Sequence, residues 1–270
     1  GSAVDREYVQ RDKNQSFLLT MLREPTKRAI SKFFHFVVST QRGIPTDENF
    51  QSYFNHSPMD RNYYANDLSL EPIDWDKLDA LTGTERDQAY DAVIKGILDE
   101  YDFIAITERM DESLVVMSRL LGVTLEDVLY VVTDNLSGSF VATGSKEAPC
   151  IYLVPSFLTP GMTRYFSSDW WRNEFVGLDY RLYHAAQVAL DDTIDSLGRD
   201  RIEQDLKTFR KMLNVARKLC AAETKHVCTQ EGVYLGEKRS TCLLMDMGCD
   251  HTCREGLRTR DWNQLIEEFG

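Results

Sequence analysis

The chain has 270 residues, and its 43% hydrophobic and 27% charged content is that of a globular protein able to bury a core without metals or crosslinks. Its net charge of −12 argues against nucleic acid as a partner, because duplex binding needs Lys and Arg to neutralise phosphates, and more weakly against long polyanions. No apolar run approaches the roughly 20 residues of a membrane span, so membrane attachment is expected only through a segment outside this sequence.

Residues 17–22, Phe-Leu-Leu-Thr-Met-Leu, form a short, almost continuous apolar run, as expected of a strand buried on both faces of a parallel sheet. Pro25 suits the first turn of a helix, and residues 26–39 read as that helix, with Ala29, Phe33, Phe36 and Val37 on one side. Residues 42–81, rich in Asn, Asp, Pro, Ser and Tyr, read as a long irregular excursion. A helix over 84–101, a second buried strand over 103–106 and a helix over 111–121 follow, with Asp111 as its cap and Gly122 as its stop. A third strand is expected at 128–132, and residues 133–175 read as irregular. Within them, Thr143-Gly144-Ser145-Lys146 reads as a loop, and Trp170 and Trp171 read as buried anchors in preference to sugar-stacking platforms. Helices are expected over 178–197 and 201–220; in the second, Ile202, Leu206, Phe209, Leu213, Ala216 and Cys220 form one apolar stripe.

Six cysteines are present, five of them from Cys220 onward, and Asn14, Asn55 and Asn135 head Asn-x-Ser sequons. Both features fit an oxidising, secretory compartment. Residues 221–270 are read as a small cysteine-rich, disulfide-linked tail on a domain spanning 1–220. His226, Cys228, Cys242, Cys249, His251 and Cys253 also offer zinc-type ligands. Their spacing lacks a paired knuckle, so disulfides are favoured and no metal site is assigned.

The chemistry is concentrated in Arg23-Glu24-Pro25-Thr26-Lys27-Arg28-Ala29-Ile30-Ser31. An arginine closes a strand, a proline opens a helix, and a serine follows in the second turn. Free N–H groups and the positive dipole end of a helix attract anions, and Arg23 adds a forked, permanently charged donor. Arg28 lies one turn before Ser31 on the same helix face.

This segment resembles the 3′-phosphate-binding motif of sulfotransferases, which use 3′-phosphoadenosine 5′-phosphosulfate (PAPS) as donor. Residues 103–114, Phe-Ile-Ala-Ile-Thr-Glu-Arg-Met-Asp-Glu-Ser-Leu, and residues 178–183, Leu-Asp-Tyr-Arg-Leu-Tyr, resemble blocks of the Golgi galactose 3-O-sulfotransferases and their heparan 2-O relatives, in the same order. The resemblance implies an α/β fold with a central parallel sheet of the P-loop, nucleotide-kinase-like type. It implies that Arg23, Arg28 and Ser31 bind the donor, that a carbohydrate or other hydroxyl is the acceptor, and that the protein works in the Golgi lumen. His35, four residues after Ser31, and Glu108, at the end of the second strand, are the candidates for a general base. The resemblance also implies a Lys-x-Gly-x-Thr/Ser loop for the 5′-phosphosulfate well upstream, and none is legible in the 22 residues before Arg23. The chain is therefore expected to be the C-terminal part of such an enzyme; the alternatives are a non-catalytic sulfotransferase-like binding or partner protein lacking that loop or, behind it, a zinc-stabilised interaction module.

Overall fold

The structure is a computed structural model and describes residues 11–130, 138–145, 148–220 and 250–270. It is mostly helical around a small parallel sheet. Strand β1 (Leu19–Leu22) pairs in parallel with β2 (Phe103–Ile106), Leu19 opposite Phe103 and Leu22 opposite Ile106. Every residue of β2 is buried, which explains its unbroken Phe-Ile-Ala-Ile sequence.

Between the two strands run α1 (Pro25–Phe33), a π-helical stretch (Phe34–Thr40), α2 (Asp47–Asn55), α3 (Tyr63–Leu68), α4 (Trp75–Ala80) and α5 (Gly83–Glu100). After β2 come α6 (Met110–Leu121), an antiparallel hairpin of β3 (Gly138–Ser145) and β4 (Ala148–Pro155), and α7 (Pro160–Phe166). A second π-helical turn (Trp170–Phe175) leads into α8 (Gly177–Leu197), followed by α9 (Arg199–Cys220), α10 (His251–Leu257) and α11 (Trp262–Phe269).

Two cores result. The larger holds β2 and the inner faces of α5, α6, α8 and α9, and all six residues of the expected α9 stripe are buried in it. The smaller is aromatic: Phe33, Phe34, Phe50, Phe54, Phe166, Trp171 and Phe175 cluster in it, their rings meeting mostly edge to face. Helix α1 packs Ala29 and Phe33 into the smaller core.

Several expectations need correction. The 42–81 excursion is largely helical, because Thr46 and Asp74 each accept a hydrogen bond from the residue three positions on and so start helices inside a loop-like composition. The helix of 26–39 turns π-helical at Phe34, which buries Phe34 and leaves Phe36 47% exposed in place of the expected stripe. Asp111 lies in the first turn of α6 and does not cap it; its carboxylate instead accepts from Tyr130 and Arg210. Gly122 ends α6 at φ +66°, the left-handed turn that its lack of Cβ allows.

No strand forms at 128–130: Val128 ends a 3-10 turn, and Val131 and Val132 lie outside the described residues. The described residues of 133–175 supply the hairpin, α7 and the second π turn in place of the expected irregular stretch. Thr143–Ser145 therefore belong to the end of β3, while Lys146 lies outside the described residues. The tryptophans divide: Trp171 is fully buried, whereas Trp170 is 42% exposed and stacked on Phe175.

At the C-terminus, Leu257, Trp262 and Leu265 join the larger core against α9, and a disulfide ties Cys220 to Cys253 with 5.7 Å between Cα atoms. This removes Cys253 from any zinc set. Cys228, Cys242, Cys249 and His226 lie outside the described residues, as does Asn135. Among the described residues no helix is long and apolar enough to cross a membrane, and no group of three His, Cys, Asp or Glu side chains converges as metal ligands would.

Candidate anion-binding site at the end of the first strand

The turn from β1 into α1 carries Arg23 and Glu24, and both backbone N–H groups are fixed by side chains from distant helices. Arg23 N–H donates to Tyr64 Oη at 3.0 Å. Glu24 N–H donates to both carboxylate oxygens of Glu108 at 3.2 Å. Glu24 then caps α1, its Oε2 accepting from Lys27 N–H at 2.7 Å, while its Oε1 accepts from Tyr180 Oη–H at 2.7 Å. The helix start is thus already supplied with acceptors by the protein's own carboxylates, contrary to the expectation of free N–H groups there. An anion at this turn must be gripped by side chains.

Those side chains are present. Among the described residues no acceptor or carboxylate pairs with the Arg23 guanidinium, and none hydrogen-bonds the Ser31 hydroxyl. Arg28 lies over the Tyr63 ring at 4.3 Å and the Tyr64 ring at 5.3 Å, with Asp60 at 3.7 Å. Its Nε and Nη2 are buried without a hydrogen-bond partner. Buried guanidinium donors left unpaired are costly, so they mark a position where an acceptor is wanted. Asp60 does not meet that need: it is fully buried and engaged by Lys32 Nζ at 2.5 Å and Ser57 Oγ at 2.6 Å. Tyr64 connects the two arginines, holding the backbone of one and carrying the other over its ring.

Glu108 points at neither arginine. Besides Glu24 N–H it accepts from Tyr183 Oη–H at 2.9 Å and lies 3.6 Å from Lys27 Nζ. Burial and the Glu108 carboxylate both push the Tyr183 hydroxyl well above its usual range, so it stays protonated and donating. His35 is exposed, packed edge to face on Phe36 at 4.7 Å, with no side chain hydrogen-bonded to its ring among the described residues.

The support beneath this site is a reciprocal pair of helix caps. Asn62, at φ +42°, sends Oδ1 to the N–H groups of Leu178 and Asp179 at 3.0 and 3.3 Å, at the start of α8. Asp179 returns both carboxylate oxygens to Tyr64 N–H and Ala65 N–H at 3.1 and 2.9 Å, at the start of α3. Burial pushes Asp179 up to about 6, opposed by these N–H groups and by Arg28. The 178–183 block acquires a physical reading: Asp179 caps α3, Leu182 is core, and Tyr180 and Tyr183 brace Glu24 and Glu108. Tyr64 and Asn62 were invisible in the sequence because each acts at long range from within a stretch of loop-like composition.

A strand-end arginine, a turn locked from both sides and unpaired guanidinium donors make this a candidate site for a phosphate-like anion. A family model described as galactose-3-O-sulfotransferase matches residues 5–233, a span that contains every residue of this site. The chain is therefore a member of the carbohydrate sulfotransferase superfamily, and within it belongs to the galactose-3-O-sulfotransferase family. No curated protein and no solved structure matches the chain significantly.

Proposed function

We propose that this protein binds PAPS and transfers its sulfuryl group to a hydroxyl of a carbohydrate in the secretory pathway, in the Golgi lumen. The observation that carries this reading is the pair of arginines flanking the start of α1, Arg23 with no partner for its guanidinium among the described residues and Arg28 with two buried donors unsatisfied. Arg23 and Ser31 hold the 3′-phosphate and Arg28 adds charge behind them; fork-shaped donors suit a phosphate. The donor supplies the activated sulfuryl group, and the chain's own contribution is positioning and charge stabilisation. Residues 1–220 form the transferase domain, with a P-loop-type sheet of which β1 and β2 are part, and 221–270 form a disulfide-anchored tail.

Calorimetric titration with adenosine 3′,5′-bisphosphate beside adenosine 5′-monophosphate tests the reading. The bisphosphate is expected to bind and the monophosphate to bind at least about tenfold more weakly. Equal affinities would refute a 3′-phosphate site. Bisphosphate binding without sulfuryl transfer to a galactoside would instead support the non-catalytic, donor-binding alternative.

Glu108 serves as a positioning residue in this scheme, not as the base. Glu108→Gln keeps an acceptor for Glu24 N–H and is expected to change bisphosphate affinity less than about threefold, whereas Glu108→Ala frees the turn and weakens it about tenfold. If Glu108→Gln left binding intact but abolished sulfuryl transfer, Glu108 would be the base after all.

A further inference from the structure

Helices α5 and α8 lie side by side, and where the second π turn enters α8 they border a groove of about 540 Å³. Arg86 and Tyr90 come from α5, Arg172 from the π turn, and Tyr180, Arg181 and His184 from α8. The groove continues past Arg181 and His184 along Ile94, Leu98 and Ala185.

Its cations are not equivalent. Arg181 pairs with Asp87 and lies 5.4 Å over the Tyr90 ring. Arg86 is held by Leu81 O at 2.9 Å and by Glu174 at 3.4 Å. Arg172 is exposed, and its guanidinium has no hydrogen bond or ion pair among the described residues. One uncommitted guanidinium beside an aromatic ring, with an acid and an amide close by, matches a ligand with one anionic group and several hydroxyls. A polyanion would be repelled by Asp87, Glu174 and a net charge of −12. A neutral sugar would leave Arg172 unused.

Tyr180 links the groove to the strand turn. It lines the groove, while its hydroxyl lies 2.5 Å from Thr26 Oγ1 and donates to Glu24 Oε1 at 2.7 Å. A ligand against the ring is therefore one side chain away from the Arg23 turn.

We propose that this groove binds a short acidic oligosaccharide, its single carboxylate on Arg172 and one pyranose face on Tyr180. The proposal rests on the sulfotransferase reading and supplies its substrate class: galactosides extended by a carboxylate-bearing sugar.

The test titrates the full chain with lactose and with 6′-sialyllactose, each in the wild type and in Arg172→Ala, with adenosine 3′,5′-bisphosphate in the same samples. 6′-Sialyllactose is expected to bind at least about tenfold tighter than lactose, and Arg172→Ala to erase that preference. Bisphosphate affinity should be the same in both proteins, which also shows that the variant is folded. Equal affinity for the two sugars, a preference that survives Arg172→Ala, or binding of neither sugar by a protein that binds bisphosphate overturns the groove proposal alone. Sugar preference without bisphosphate binding would support the groove and remove the donor reading.

Discussion

Arg23→Ala is expected to weaken binding of adenosine 3′,5′-bisphosphate by about 2–4 kcal/mol, roughly 30- to 1000-fold in Kd, with little loss of stability. The two halves of that statement have separate causes. Among the described residues the side chain makes no bond, so removing it leaves none of them unpaired in the free state. The backbone it springs from is fixed by Tyr64 and its neighbour's by Glu108, so the guanidinium is presented to a ligand at little further conformational cost. Arg23→Lys should recover only part of the affinity, because an ammonium cannot form the two-pronged contact. Adenosine 5′-monophosphate binding should barely change between wild type and Arg23→Ala. Calorimetry on the three proteins, with thermal melts beside it, decides the matter. Bisphosphate binding within twofold of wild type in Arg23→Ala would detach this arginine from the 3′-phosphate.

The sequence was most legible where one local rule acted alone. Strand β2 and the α9 stripe follow directly from burial on two faces and from helical period, and α1 from the proline that opens it. It was least legible where a distant group overrides composition. Residues 42–81 look like loop, yet α3 exists because Asp179, more than a hundred residues later, accepts its first N–H groups. The π winding at Phe34 follows from the demand of the aromatic core for Phe33 and Phe34 together, a tertiary requirement that periodicity does not encode. The same division runs through the site. Arg23, Arg28 and Ser31 stand in one short motif, whereas the residues that hold the motif in place, Tyr64, Glu108, Tyr180 and Tyr183, are scattered over α3, α8 and the turn after β2. Of these only Glu108 stood out in the sequence as a candidate for a site role, and the structure engages it with Glu24 N–H, Tyr183 and Lys27.

Asp179 yields the largest expected loss of stability. Asp179→Ala strips acceptors from the N–H groups of Tyr64 and Ala65 in a fully buried place, and each orphaned donor costs about 1–3 kcal/mol. Removal of a desolvated carboxylate offsets part of that, so a net loss of about 2–3 kcal/mol near neutral pH is expected in denaturant unfolding. Bisphosphate affinity should fall with it, since Tyr64 holds the Arg23 turn. Asp179→Asn separates charge from hydrogen bonding: it keeps one acceptor and cannot ionise. Because burial raises the folded-state value of Asp179 from 3.8 to about 6, the carboxyl contributes stability that is fully present below about pH 4 and is lost as pH rises through about 6. The advantage of wild type over Asp179→Asn should therefore be greatest at pH 4 and shrink toward pH 7. A difference that stays constant across that range would mean that the backbone N–H groups and Arg28 fully compensate burial, leaving Asp179 ionised throughout. The cap would then still hold α3 in place.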